Sequence, residues 1–392
     1  MCREVLAATT MSLRSLPRRF VASMVVIIGI AGVVGVLIAV LAMASGLTRT
    51  FVKTGDLDRA LVLHKAANTE SFSNIDLDWS VAIAQPRQVL RGADGTAAVC
   101  PERIVGASLF RRGGGEAGVT LRGTCPAMYL VHPEWRLVAG RQFRPGLHEL
   151  IVGVGAFRQF AAVNLGDHVK LGTSEWTVVG RFTSGGDLHE SEVLTDATTL
   201  MSAYGWADYS SVTVRLISDS ALGEFRKALL SNPSLQVEVI GERDYYQRQS
   251  QGIASLLYLV STVVGAIMAI GAVLTATNIL YSSVAVRKGE IATLRAIGFG
   301  ASGVVISILV ESLLLAVVGA LLGATVAWLA FSGNVLSTSA GAFNAQVMFT
   351  MAVRPGLIGL GVLWGVTIGL LGGLLPAVRA ARMPVAVALR PV

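Results

Sequence analysis

Four apolar windows, residues 21–43, 252–281, 303–331 and 356–375, constrain this chain more than any other feature it carries. Each is long enough for a helix to cross a hydrocarbon core of about 30 Å, and Glu311 is the one charged residue inside them. The rest of the composition agrees. With 53% hydrophobic residues, 15% charged residues and a mean hydropathy of +0.63, the chain is too apolar for an ordinary soluble protein. The windows predict four transmembrane helices.

The first window ends in "LAMAS", whose Ala42 and Ala44 imitate a signal-peptidase site. Its apolar core exceeds the 7 to 15 or so residues of a signal-peptide core, so it reads as an uncleaved anchor. Charge sets the orientation. Segments 1–20, 282–302 and 376–392 carry 4, 3 and 3 Lys or Arg against Glu4 and Glu290 as their acids, which places them and both termini on the cytoplasmic side. The segment 46–251 is nearly neutral, with 21 basic and 22 acidic residues. The net charge of +7 therefore reports the positive-inside rule and not a nucleic-acid partner. Before the first window, "MSLRSLPRRF" is a basic amphipathic stretch suited to the inner leaflet and to its lipids.

The region 46–251 is of domain size and reads as mixed α/β. In "VKLGTSEWTVVGRFTSGG", Val169 and Leu171, then Trp176 and Val178, alternate around a Gly-bearing turn, and "SSVTVRLIS" alternates in the same way, so both predict strands. "DSALGEFRKALLSNP" predicts an amphipathic helix with Asp219 or Ser220 as N-cap and Leu222, Phe225 and Leu229 on its apolar face. A strand-like "QVEVIGE" follows. The polar run 243–251 then leads into the second window without Gly or Pro, which predicts one unbroken helix able to carry motion between domain and membrane. "RRGGGEAG", residues 111–118, is a flexible loop tip: it lacks the Lys-Ser/Thr ending of a phosphate cradle. The segment 332–355 reads as a loop on the outward side.

Small residues recur once per turn in the last window, at Gly361, Gly365, Gly369 and Gly373, and Gly319 and Gly323 sit in the third. Such stripes let helix backbones approach closely in lipid. Cys100 and Cys125 both fall in the outward region, where a disulfide could persist; two free, buried thiols are the other reading.

The stretch "VAVRKGEIATLRAIGFGASG", residues 284–303, is a small charged helix between two spans. On a helical wheel Arg287, Glu290, Ile291, Leu294 and Ile297 share about a third of the circumference. A mixed-charge face with aliphatic anchors suits the groove of a cytoplasmic partner, and equally a helix resting on lipid headgroups. The longer stretch "RKGEIATLRAIGFGASGVVISILVESLLLAVVGALLG" resembles the permease subunits of the MacB, LolC/LolE and FtsX group of ABC transporters, as does the tail "LLPAVRAARMPVAVALRPV". Gly289 stands where the group has a charged residue, and Met383-Pro384 replaces its Asp-Pro.

That resemblance implies a mechanotransmission permease, with a MacB-like periplasmic domain between helices 1 and 2, in the bacterial inner membrane. It also implies a coupling helix over Arg287, Lys288, Glu290, Ile291, Leu294, Arg295 and Gly298, docked on a cytoplasmic ABC ATPase. The implied assembly holds two ATPase copies and a second permease chain, identical or a paralogue, with a periplasmic adaptor and outer-membrane duct as further partners. No GxxxxGK[ST] occurs, so the expectation is that ATP and Mg belong to the partner and that this chain binds no cofactor and is not itself an enzyme.

Other chemistry is sparse in the sequence. Glu311 lies about 12 Å into its span at 1.5 Å per residue, and reads as a structural carboxylate bonded to neighbouring Ser, Thr or Asn278 side chains. His64, His132, His148, His168 and His189 form neither HExxH nor a paired Cys spacing, so no metal site is expected. No nucleophile–base arrangement can be assigned. The expected function is export or efflux of a substrate, either MacB-like or by lipoprotein release; the alternative is an FtsX-like signalling protein that regulates a cell-wall hydrolase. A membrane anchor bearing an enzymatic domain is the third reading, which the missing catalytic cluster disfavours.

Overall fold

A computed structural model describes residues 20–286, 288–296, 300–339 and 345–382, apart from the side chains of Glu290, Ile291, Leu294 and Arg295. The chain forms two compact units. One is helical and contains Ser255–Asn334 with the described parts of Met1–Ser45 and Met351–Val392; the other is α/β and contains Gly46–Ala254 and Val335–Thr350.

Among the described residues, four helices are long and apolar enough to cross a membrane: α1 (Phe20–Thr54), α7 (Glu242–Val286), α9 (Ala301–Phe331) and α10 (Pro355–Ala381). The first two outrun their apolar windows. Helix α1 continues eleven residues beyond 43, and α7 starts ten residues before 252; neither flank contains proline, and the single glycine in them, Gly46, does not end α1. The short α8 (Lys288–Ala296) lies between α7 and α9, and between α1 and α7 come α2 (Leu77–Ile83), α3 (Met128–Val131), α4 (Val154–Gln159), α5 (Ala197–Tyr204) and α6 (Leu222–Leu230).

The α/β unit is built on a mixed sheet of ten strands. These are β1 (Arg59–His64), β2 (Val99–Phe110), β3 (Glu116–Thr124), β4 (Arg136–Gly140), β5 (Glu149–Gly153), β6 (His168–Leu171), β7 (Ser174–Thr183), β8 (Val193–Asp196), β9 (Ser211–Arg215) and β10 (Val237–Gly241). They run in the order β10-β1-β9-β2-β3-β8-β5-β7-β4, with β6 paired to β7. The long strand β2 serves both halves. Its start pairs with β9 (Val99↔Val214 to Glu102↔Ser211), and its remainder pairs with β3 (Arg103↔Gly123 to Phe110↔Glu116).

Period-2 patterning then fills three cores, one of which holds Cys100, Ile151, Phe182 and Leu194. Val62, Val212, Val214 and Val239 pack in the second together with the helical Phe225, and Val105, Leu121, Val152, Trp176 and Val178 in the third. The strands expected from "VKLGTSEWTVVG", "SSVTVRLIS" and "QVEVIGE" are β6–β7, β9 and β10. The glycine-rich tip joins β2 to β3, with Gly114 and Gly115 at positive φ.

Two expectations are corrected. The helix α6 (Leu222–Leu230) buries Phe225 and Leu229 as its spacing requires, but neither Asp219 nor Ser220 caps it: both belong to a 3₁₀ turn, Asp219–Ala221, that feeds directly into the helix. The segment 332–355 is also more than a loop. Strands β11 (Val335–Ser339) and β12 (Gln346–Thr350) form a hairpin that belongs to the α/β unit, where Met348 N–H donates to Ser191 Oγ at 3.0 Å. Its signal, the alternating buried Val347 and Phe349, spans only five residues.

Candidate functional site

Helix α8 supplies the first candidate surface. Among its described side chains Ala292 is buried, while Lys288, Thr293 and Ala296 are exposed. Arg287 and Gly298, and the side chains of Glu290, Ile291, Leu294 and Arg295, lie outside the described residues. The backbone nevertheless places Glu290, Ile291, Leu294 and Arg295 within one helix of nine residues.

The glycine stripes of α9 and α10 lie at close helix crossings. A methyl group on Gly361 would come within 2.8 Å of Ile38 on α1, and one on Gly365 within 2.6 Å of Ala320 Cβ on α9. Gly369 and Gly373 face Ala316 and Ser312, while Gly319 and Gly323 lie against the α1 backbone at Ile27 and Ala31. Glu311 is buried in the same helical unit.

The α/β unit contains a buried polar network. Arg122, on β3, donates to both oxygens of Glu192 (2.7 and 3.1 Å), to Glu102 (2.7 Å) and to Glu70 (3.1 Å), and all four side chains are buried. Ser211, Thr213 and Thr124 hydroxyls donate to the same carboxylates. Three carboxylates around one guanidinium require further compensation. Burial pushes Glu102 up against the pull of Arg122, whereas Glu192 is held down at about 2, because Arg122 and His189 outweigh its desolvation.

Next to it lies a second cluster. His189 belongs to a 3₁₀ turn, Leu188–Ser191, and its Nδ1 is 3.0 Å from Glu192 Oε2; that carboxylate outweighs burial and raises the imidazole to about 9. His132 follows the short helix α3 (Met128–Val131) and stacks on Trp135 with ring centroids 4.3 Å apart. Its Nδ1 is 3.3 Å from Glu134 Oε1, and burial holds it neutral, down to about 3. Glu242, the first residue of α7, accepts hydrogen bonds from Arg59 Nε and, at 3.0 Å, from Asp56 N–H. Arg59 also donates to Glu134 at 3.0 Å.

One ring nitrogen from each histidine and a Glu242 oxygen lie within 4.8 Å of one another, and all three residues are buried. Histidine spacing predicted no metal site. The fold brings together two histidines 57 positions apart with a carboxylate 53 positions further on, a proximity that linear spacing cannot express.

Comparison with known proteins bears on the whole arrangement. Residues 23–231 match the MacB-like periplasmic core domain, and residues 262–385 match the FtsX-like permease C-terminal domain. The chain belongs to the MacB/FtsX-like family of ABC transporter permeases.

This permease is 24% identical over 208 residues to the uncharacterized ABC transporter permease YknZ of Bacillus subtilis, a match covering 51% of this chain and 49% of that protein. It is 28% identical over 319 residues to the macrolide export ATP-binding/permease protein MacB of Rhodospirillum rubrum, covering 75% of this chain and 46% of that protein. The chain thus spans about half the length of the curated relatives it matches. Among solved structures it is similar to the periplasmic region of MacB from Actinobacillus actinomycetemcomitans (13% identity, TM-score 0.37, 49% of this chain and 92% of that one). It is also similar to the extracellular domain of YknZ from Gram-positive bacteria (17% identity, TM-score 0.36, 46% and 99%).

In this permease Cys100, on β2, and Cys125, just after β3, form a disulfide with Cα atoms 5.3 Å apart. The sequence leaves that pair open and gives little sign of the ionic network. Arg59, Glu70, Glu102, Arg122 and Glu192 sit on different elements, and the one sequence clue to them is a charge placed within an otherwise apolar strand, as in "VTLRGT" and "DRALVLH".

Proposed function

We propose that this chain is the membrane subunit of a transporter in which a separate cytoplasmic ATPase drives motion of the α/β unit and so exports a substrate. The observation that carries this reading is the run α7-α8-α9: a 45-residue helix starting at Glu242, then a short helix bearing "KGEIATLRA", then a second spanning helix. Two ATPase subunits, holding ATP and Mg, close on each other and displace α8; α7, which has no internal break, relays that displacement. Lys288, Glu290, Ile291, Leu294 and Arg295 form the docking surface, together with Arg287 and Gly298 on either side.

In this arrangement both termini and α8 face the cytoplasm, because their segments hold the excess of Lys and Arg, and the membrane is the bacterial inner membrane. A second permease chain and lipid cover the apolar side chains that α7 leaves exposed, including Leu256, Leu259, Val263, Ile267 and Leu274. The transport reading borrows its direction from MacB, whose name states macrolide export.

Purification of the chain from its native membranes in mild detergent, with mass spectrometry of what accompanies it, tests the proposal. An ABC ATPase together with a periplasmic adaptor is the expected result. A cell-wall hydrolase in place of an adaptor would replace export with signalling, and the absence of any ATPase would overturn the coupling role of α8.

A further inference from the structure

We propose that His132, His189 and Glu242 of the α/β unit bind a divalent transition-metal ion, zinc by preference, which ties the first residue of α7 to two distant segments of the chain. The donors come from the end of α3, the 3₁₀ turn Leu188–Ser191 and the start of α7, and they lie within 4.8 Å of one another. A tetrahedral zinc ion with bonds of about 2.0–2.2 Å holds its donors about 3.4 Å apart, so the widest of these separations would have to close by about 1.4 Å.

Hydrogen bonding selects which nitrogens are presented. Glu134 and Glu192 are acceptors, so each imidazole uses Nδ1–H toward its carboxylate. Nε2 is then the nitrogen each ring can turn to another partner, and at His189, which Glu192 favours in its protonated form, a metal ion would take the place of the proton on that nitrogen. His189 Nε2 is fully buried and has no hydrogen-bond partner among the described residues. A buried nitrogen left in that state costs free energy, and coordination to a cation removes the cost.

The surroundings have the form that supports a metal. Each histidine donates its other nitrogen to a carboxylate, the arrangement that fixes the tautomer and raises ligand basicity at zinc sites. Glu242 is itself oriented, by Asp56 N–H and by Arg59. The aromatic faces of Trp135 and Tyr246 pack against His189 at 5.1 and 5.9 Å between centroids and limit its rotation. Two imidazoles with one carboxylate suit zinc better than calcium or magnesium, which prefer all-oxygen sets, and they leave a fourth position for water. Full burial argues for a structural ion that fixes the first turn of α7.

This inference does not depend on the transport reading, because binding is measured on the purified chain. The full-length protein, made without a polyhistidine tag, is stripped with a chelator and titrated with Zn²⁺ against a fluorescent competitor. Stoichiometric binding is expected, with an X-ray absorption signature of nitrogen and oxygen ligands and no sulfur. Zinc should also raise the unfolding midpoint by several degrees.

His132→Gln and His189→Gln should each abolish binding, while His168→Gln, at an exposed residue, should leave it unchanged. Glu134→Gln touches a partly exposed side chain and serves if the histidine variants fail to fold; it should weaken affinity by about 10- to 100-fold. Failure of the wild type to bind stoichiometrically, retention of zinc by both folded histidine variants, or an unchanged affinity in Glu134→Gln would each overturn the site and leave a hydrated polar cluster in its place.

Discussion

Arg122 holds Glu70, Glu102 and Glu192 together inside the α/β unit, and it is 3% exposed. Removing one partner of a buried ionic group costs far more than the group contributes net, because the remaining charges lose their compensation. Arg122→Met should therefore destabilise the protein by about 3–5 kcal/mol, read as a shift of the urea unfolding curve. A change within experimental error would mean that the carboxylates take up protons or water without strain. The disulfide acts by a different route. Cys100 and Cys125 are 25 positions apart, and closing a loop of that size restricts the unfolded chain by roughly 3 kcal/mol. Reduction of the wild type, or Cys100→Ser with Cys125→Ser, should lower stability by that order, and equal stability with and without reductant would show that the bridge adds nothing.

Among elements, α10 depends on its glycines because lipid offers no hydrophobic force to draw helices together, so contact must come from close fit. A side chain at Gly369 would overlap Ala316 of α9, whereas Gly359 has open space around it. Gly369→Val is expected to destabilise the helical unit by about 1–3 kcal/mol and Gly359→Ala to be nearly neutral, with thermal aggregation in detergent as the measurement. Equal behaviour of the two variants would remove the packing role of the stripe. Helix α8 is expected to act through its side chains and not its fold. Glu290→Ala with Leu294→Ala keeps helix propensity, so α8 should persist while ATPase stimulation and export in reconstituted vesicles both fall. If both rates were unchanged, the docking assignment would fail.

For the whole molecule, the proposed mechanism rests on α7 being a single helix from Glu242 to Val286. Proline inside a helix removes a hydrogen bond and clashes with the preceding turn, at about 3 kcal/mol. Gln249→Pro should leave ATP hydrolysis by the assembled complex in place and abolish export, since the break falls between the two ends of the relay. Full export with a kinked α7 would show that motion reaches the α/β unit by another path.

Several features were already legible in the linear chain. The spans follow from apolar length, the strands β6, β7 and β9 from period-2 alternation, and the charged helix α8 from a short motif. Each depends on residues close in sequence, where the period of the backbone alone dictates which side chains share a face. The buried polar groups depend on partners brought together from far apart, as does the docking of the β11–β12 hairpin, whose Met348 meets Ser191 across 157 positions; the displaced cap is local, because a 3₁₀ turn takes up Asp219 and Ser220. Arg122 meets Glu70 across 52 positions, and Glu242 meets Arg59 across 183. Sequence by itself determined four windows long and apolar enough to cross a membrane and an α/β domain between the first two of them. Only the tertiary structure decided that His132, His189 and Glu242 converge, because a buried charge is tolerated solely where folding delivers its partners.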